Sequence, residues 1–176
     1  MMANNPFLLI GPLALALGAV LLVAAALHDV AARTIPNWAS LALFVLGVLL
    51  RILDGSRSLL EGLSLGLAVF VFAVFCWRRG WLGGGDVKLL AAAAIFVPPA
   101  HVGDMLIAVT FCGGAVGLIY LFARLLSYGR APRAGVRPRG LLARIVRIER
   151  RRLSRGGPLP YASAIAAGTI LIAFAG

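Results

Sequence analysis

The sequence predicts an all-α protein, a polytopic membrane helix bundle with about six transmembrane segments. Three observations carry that reading. Hydrophobic residues make up 61% of the 176-residue chain and charged residues 13%, against about 25% charged in soluble chains. Mean hydropathy is +0.98, more apolar surface than a soluble core of this size can hide. The 17 Lys and Arg, which leave a net charge of +11, flank and punctuate apolar runs and do not gather into a nucleic-acid-binding stripe.

The first run, Phe7 to Leu27, carries no charge and is long enough to cross a hydrocarbon core that needs about 20 residues. A signal peptide would show a basic start and a shorter core, so the run is read as a retained span. Asn37–Leu53, Leu59–Trp77, Val102–Leu126 and Pro158–Ala175 are further spans. Leu89–Ala100, ending in Pro98-Pro99, reaches only about 18 Å as a helix against a core of about 30 Å. It is either a shielded short span or a re-entrant segment, and charge decides for a span. With six crossings and both termini outside, Arg33, Arg78, Arg79, Lys88, Arg124 and every cation from Arg130 to Arg155 fall inside. Only Arg51 and Arg57 remain outside, beside Asp54 and Glu61. Without the fourth crossing the Arg-rich segment would face out.

The whole chain, 1–176, reads as one integral-membrane domain with an Arg-rich cytoplasmic loop at about 127–157. Within it, Leu141–Leu153 has an apolar arc opposite Arg144, Arg147, Arg150 and Arg151, a pattern that suits anionic lipid headgroups better than nucleic acid. Ala14 and Gly18, Gly62 and Gly66, and Gly113 and Gly117 stand at helix-packing spacing. Cys76 and Cys112 lie inside apolar runs with no CxxC motif, and read as packing thiols. No metal or cofactor is called for.

With only six acids, each is informative. Asp29 directly follows the first span, and Asp86 opens the fourth segment in Gly83-Gly84-Gly85-Asp86-Val87-Lys88. Two crossings separate them, so span counting alone puts both acids on one side of the membrane. Two carboxylates at one depth share a proton and can work as general base and general acid on a single water. The three glycines would admit positive φ or the close approach of a strand or helix. The same residues also fit a flexible loop ending in an Asp helix cap.

Gly83-Gly84-Gly85-Asp86 fits the GxGD signature of intramembrane aspartyl proteases, and Arg33-Thr34-Ile35-Pro36-Asn37 after Asp29 resembles the other active-site segment of the type IV prepilin peptidase family. Pro160 to Gly168 is similar to that family's last span. The resemblance is closest to the short form that serves Flp (Tad-type) pili. It implies that Asp29 and Asp86 are a catalytic pair, and that the substrate is a prepilin cut after a Gly at the cytoplasmic edge of the bacterial inner membrane. Larger relatives also N-methylate the trimmed pilin and carry paired CxxC motifs; this chain has none, so no methyltransferase activity is implied.

Neighbouring residues keep two readings each. Arg33 holds the site or contacts the substrate, or else anchors the inner side; Lys88 biases the acids or snorkels to the headgroups. His28 adjoins Asp29 and either serves the site or is incidental. Pro36 and Asn37 end the loop and start the second span. His101 and Asp104 belong to the far end. The competing functional class is a small transporter or pilus-assembly subunit that binds protons or ions on the same acids; it would favour acids at mid-membrane and internal symmetry.

Overall fold

The computed structural model describes residues 7–127 and 161–175. Among these residues six α-helices follow in order: α1 (Phe7–Ala32), α2 (Asn37–Leu53), α3 (Ser56–Arg78), α4 (Gly84–Phe96), α5 (Val102–Ser127) and α6 (Tyr161–Ala175), with a 3-10 turn at Pro99–His101 before α5. No strand occurs among the described residues, and the chain is an all-α membrane helix bundle. Segments Gly11–Ala32, Ser56–Arg78 and Pro99–Phe122 are long and apolar enough to cross a membrane; α2 and α6 are shorter apolar helices. Leu13, Val20, Leu67, Phe72 and Leu171 stand exposed, as lipid-facing side chains do.

The chain divides into two compact units. The first is Met1–Gly113 with Pro160–Gly176, and the second is Gly114–Leu159. Of the second, residues 114–127 are described, a stretch of helix exposing Leu118, Ile119, Leu121 and Phe122. The Arg-rich segment, the amphipathic pattern at 141–153 and the Pro158 end of the last apolar run lie outside the described residues.

Within the first unit α4 is the hub. It packs on α2, α3 and α6, while α1 packs on α2 and α6. Val87, Leu89, Leu90 and every residue from Ala92 to Phe96 are buried, so α4 is covered nearly all round. That cover explains how a helix of 13 residues, about 20 Å long, survives among longer ones. Its backbone bonds are internal and its sides meet protein. The helix stops at Phe96 because Val97, extended at ψ 143°, precedes Pro98.

The far end of α4 sits in a socket of glycines. A Cβ on Gly47 of α2 would lie 2.8 Å from the Phe96 backbone nitrogen. One on Gly18 of α1 would enter the Phe96 ring, and one on Gly66 of α3 would strike the Ile95 side chain. Ala14–Gly18 and Gly62–Gly66, marked by their spacing, are thus packing positions; Gly62 receives the Arg51 stem. Gly47 and Gly168, which seats the Val109 backbone, are not among the three pairs marked from the sequence. At the same end of the bundle Arg51, almost fully buried, bonds Asp54 at 2.8 Å and Ser58 at 3.3 Å, closing the α2–α3 turn.

The helix bounds refine the sequence reading. α2 has the limits expected of the second span. α1 runs on past Leu27 to Ala32, because His28 to Ala32 contain no breaker, and Asp29 therefore lies within the helix and not after it. α4 begins at Gly84, five residues ahead of the expected Leu89.

Gly47→Ala is expected to destabilise the protein by about 1–3 kcal/mol, since the Phe96 backbone cannot move aside as a flexible side chain would. Gly103→Ala, with nothing within 4 Å, should be neutral or slightly stabilising. SDS-driven unfolding in mixed micelles checks the pair, and equal stability of the two variants would refute the socket.

Candidate active site

Asp29 sits in the last turn of α1, 7% exposed. Its Oδ2 accepts the backbone N–H of Ala162, the second residue of α6, at 3.4 Å. That amide is available because the first turn of a helix leaves its N–H groups unpaired. Beyond Asp29 the chain must leave the helix sharply. Arg33 does this at φ 57°, a left-handed conformation uncommon for a side chain with a Cβ, and its N–H returns to the Asp29 carbonyl at 2.7 Å. His28 Nδ1 lies 2.7 Å from the Thr34 carbonyl oxygen and braces the same turn. Pro36, at φ −67° and ψ 133°, then sets Asn37 as the first residue of α2.

Asp86 arrives from the opposite direction. α3 ends in a Schellman turn: Gly80 adopts φ 75°, its N–H bonds the Trp77 carbonyl, and the Trp81 N–H bonds the Cys76 carbonyl. The chain then enters α4, and the Gly83 N–H donates to Asp86 Oδ2 at 3.1 Å, capping the helix. The glycine run is therefore a helix start. Gly83 has φ −76°, and neither Gly84 nor Gly85 is among the positive-φ residues. What the glycines supply is clearance. A Cβ on Gly85 would lie 3.0 Å from Ile35 Cβ, and one on Gly84 would lie 3.5 Å from Trp77 Nε1. The 33–36 turn and the start of α4 fit together through Ile35 on Gly85.

The two acids meet electrostatically. Asp86, which precedes the apolar segment beginning at Leu89, has its carboxyl pushed up to about 6, first by burial and second by the charge of Asp29, with the Gly83 N–H opposing both. The charge of Asp86 also reaches Tyr161, the residue before the amide that binds Asp29. The start of α6 thus adjoins both carboxylates. An acid that retains its proton toward neutrality beside one that accepts a hydrogen bond is a pair able to give and take protons.

The remaining sequence candidates divide. Lys88 donates to Asn37 Oδ1 at 3.1 Å, tying α4 to the head of α2 on an exposed edge one half-turn past Asp86. Arg33 and Pro36 shape the turn. His101 Nδ1 lies 3.4 Å from Asp104 Oδ2 at the start of α5. Cys76 is buried, Cys112 half-buried, and both are free thiols. The sequence did not single out Ile35, Tyr161 or the Ala162 amide individually; the signal for the last two was Pro160, immediately ahead of an apolar run.

Comparison with curated proteins and with solved structures found no match to this chain. Residues 16–121, which contain both acids and the helices that bring them together, match the model of the type IV leader peptidase family. The chain is an integral membrane peptidase and belongs to that family.

Proposed function

We propose that the protein is an aspartic prepilin peptidase of the short Flp (Tad) type, with Asp29 and Asp86 as its catalytic pair. The observation that supports this most directly is the electrostatic meeting of the two acids, from α1 and α4, beside the head of α6. In the working state one carboxyl is ionised and one protonated. Asp29, as the carboxylate, takes a proton from water as the oxygen attacks the scissile carbonyl carbon. Asp86, as the acid, gives its proton to the carbonyl oxygen. The tetrahedral intermediate then collapses: the carbon–nitrogen bond breaks, the leaving nitrogen takes the proton held by Asp29, and one hydroxyl of the intermediate returns its proton to Asp86 as the new carbonyl forms.

The substrate is a prepilin with a short basic leader ending in Gly, followed by an apolar helix that stays in lipid. Positive-inside bias supports both acids at the cytoplasmic edge of a bacterial inner membrane, with both termini outside. With only two cysteines and no CxxC, N-methylation is not part of the proposed activity. The Arg-rich stretch at about 127–157 is assigned by composition to anionic lipid.

Asp29→Asn and Asp86→Asn should each reduce prepilin processing by a factor of about 10² or more at normal membrane insertion, because the amide keeps the shape but cannot exchange the proton. The assay is the mobility shift of a co-expressed prepilin, and near-normal processing by either variant removes that residue from the pair. Gly85→Val should cut processing severely by driving Ile35 and the 33–36 turn away from α4; wild-type turnover would make the glycine a mere linker. The free-enzyme pKa values appear in kcat/KM. Asp86 is the acid and loses its proton near 6, so kcat/KM should fall as pH rises through that value. A profile level up to pH 8 contradicts this assignment of roles.

A further inference from the structure

A groove of about 560 Å³ opens on one side of the bundle between α2, α3 and α4. Each helix gives it one stripe at the spacing i, i+3, i+4, i+7. On α2 the stripe begins at Asn37 and Ser40 and ends at Phe44; on α3 it runs from Leu63 through Gly66 to Phe70. On α4 it begins at Lys88, passes Ala91 and Ala92, and ends at Ile95. Seven residues of helix rise about 10 Å, so the groove is two turns long. Its floor is small, with Gly66, Ala91 and Ala92, and its flanks are large, with Phe44, Phe70 and Leu67. A small floor lets a helix backbone approach closely.

One end of this groove adjoins the acids. Lys88 stands two positions after Asp86, and its amine is held on Asn37 Oδ1 at the mouth. One turn deeper, Ser40 is 5% exposed, and its hydroxyl has no hydrogen-bond partner among the described residues. A buried hydroxyl left without a partner costs about 1–3 kcal/mol, which an arriving polar group would relieve. An acyl chain has no such group. A peptide helix entering head first has four unpaired N–H groups in its first turn, and the residues before it carry free carbonyls.

We propose that this groove receives the apolar helix of the precursor, with its first turn against Ser40 and the residues just before it against Lys88 and Asn37. The inference rests on the prepilin peptidase reading and deepens it. It names the surface that holds the substrate's membrane segment, and it makes Ser40, Ala91 and Leu67 determinants of binding, not of chemistry. The scissile bond, lying ahead of the helix, then falls at the end of the groove where Asp86 stands.

The test compares two substrates on the membrane-embedded enzyme: the full precursor, and a soluble peptide that spans the scissile bond but lacks the apolar helix. Ala91→Phe fills the floor, and Leu67→Trp crowds the flank. Each should raise KM for the full precursor about tenfold while leaving cleavage of the short peptide unchanged, which also shows that the variant folds. A photo-crosslinker at Leu67 should capture the precursor's helix, and one at Leu13, exposed on α1, should not. If wild type cuts the precursor and both variants keep its KM, or if Leu67 captures only lipid or a second copy of the chain, the groove assignment is overturned and the peptidase reading stands. If wild type cuts no precursor at all, the peptidase reading falls and takes the groove assignment with it.

Discussion

The site depends on the burial of one short helix. α4 has too little length to face lipid on its own, and it is held because α2, α3 and α6 cover it along most of its sides. At its far end Gly18, Gly47 and Gly66 let three helices close on Ile95 and Phe96 with almost no slack. Fixing that end fixes the other, since a helix of 13 residues is a stiff rod. Asp86 at the head of the rod is therefore positioned by glycines some 15 Å away, at about 1.5 Å per residue.

The same rod brings the acid into contact with the rest of the chemistry. Ile35, on the turn that closes α1, rests against Gly85, so the position of α4 and the course of the chain after Asp29 are linked. Two helix starts then supply backbone N–H groups at the carboxylates: Gly83 to Asp86 and Ala162 to Asp29. These donors serve because the first turn of any helix has amides to spare. Backbone thus helps to hold both carboxylates, and Lys88, two positions past Asp86, is engaged by Asn37.

Much of this was legible in residues. The α2 limits followed from Pro36 and the apolar run behind it, and the acids were isolated by the scarcity of charge. Span counting set them on one side; the structure brings them into electrostatic contact, which counting cannot do. What composition could not give was the reason for the glycines. Their run reads equally as a hinge, and only the arrival of Ile35 and Trp77 shows that their bulk, not their φ, is what matters. The end of α1 was also misplaced, because hydropathy falls at His28-Asp29 while helix propensity continues through Ala31 and Ala32. The Ala162–Asp29 bond joins residues 133 apart, and no local pattern announces it.

The central claim is that Asp29 and Asp86 form one protonic unit. Infrared difference spectroscopy on the membrane-embedded protein reads it directly, through the protonated-carboxyl band as pH is raised. In the wild type one such band should disappear near pH 6, and it should be missing in Asp86→Asn. In Asp29→Asn the band should disappear at lower pH, because the charge that helps hold the proton on Asp86 has been removed. An Asp86 titration unmoved by Asp29→Asn would mean that the two acids do not act on each other, and the account of the site would fail.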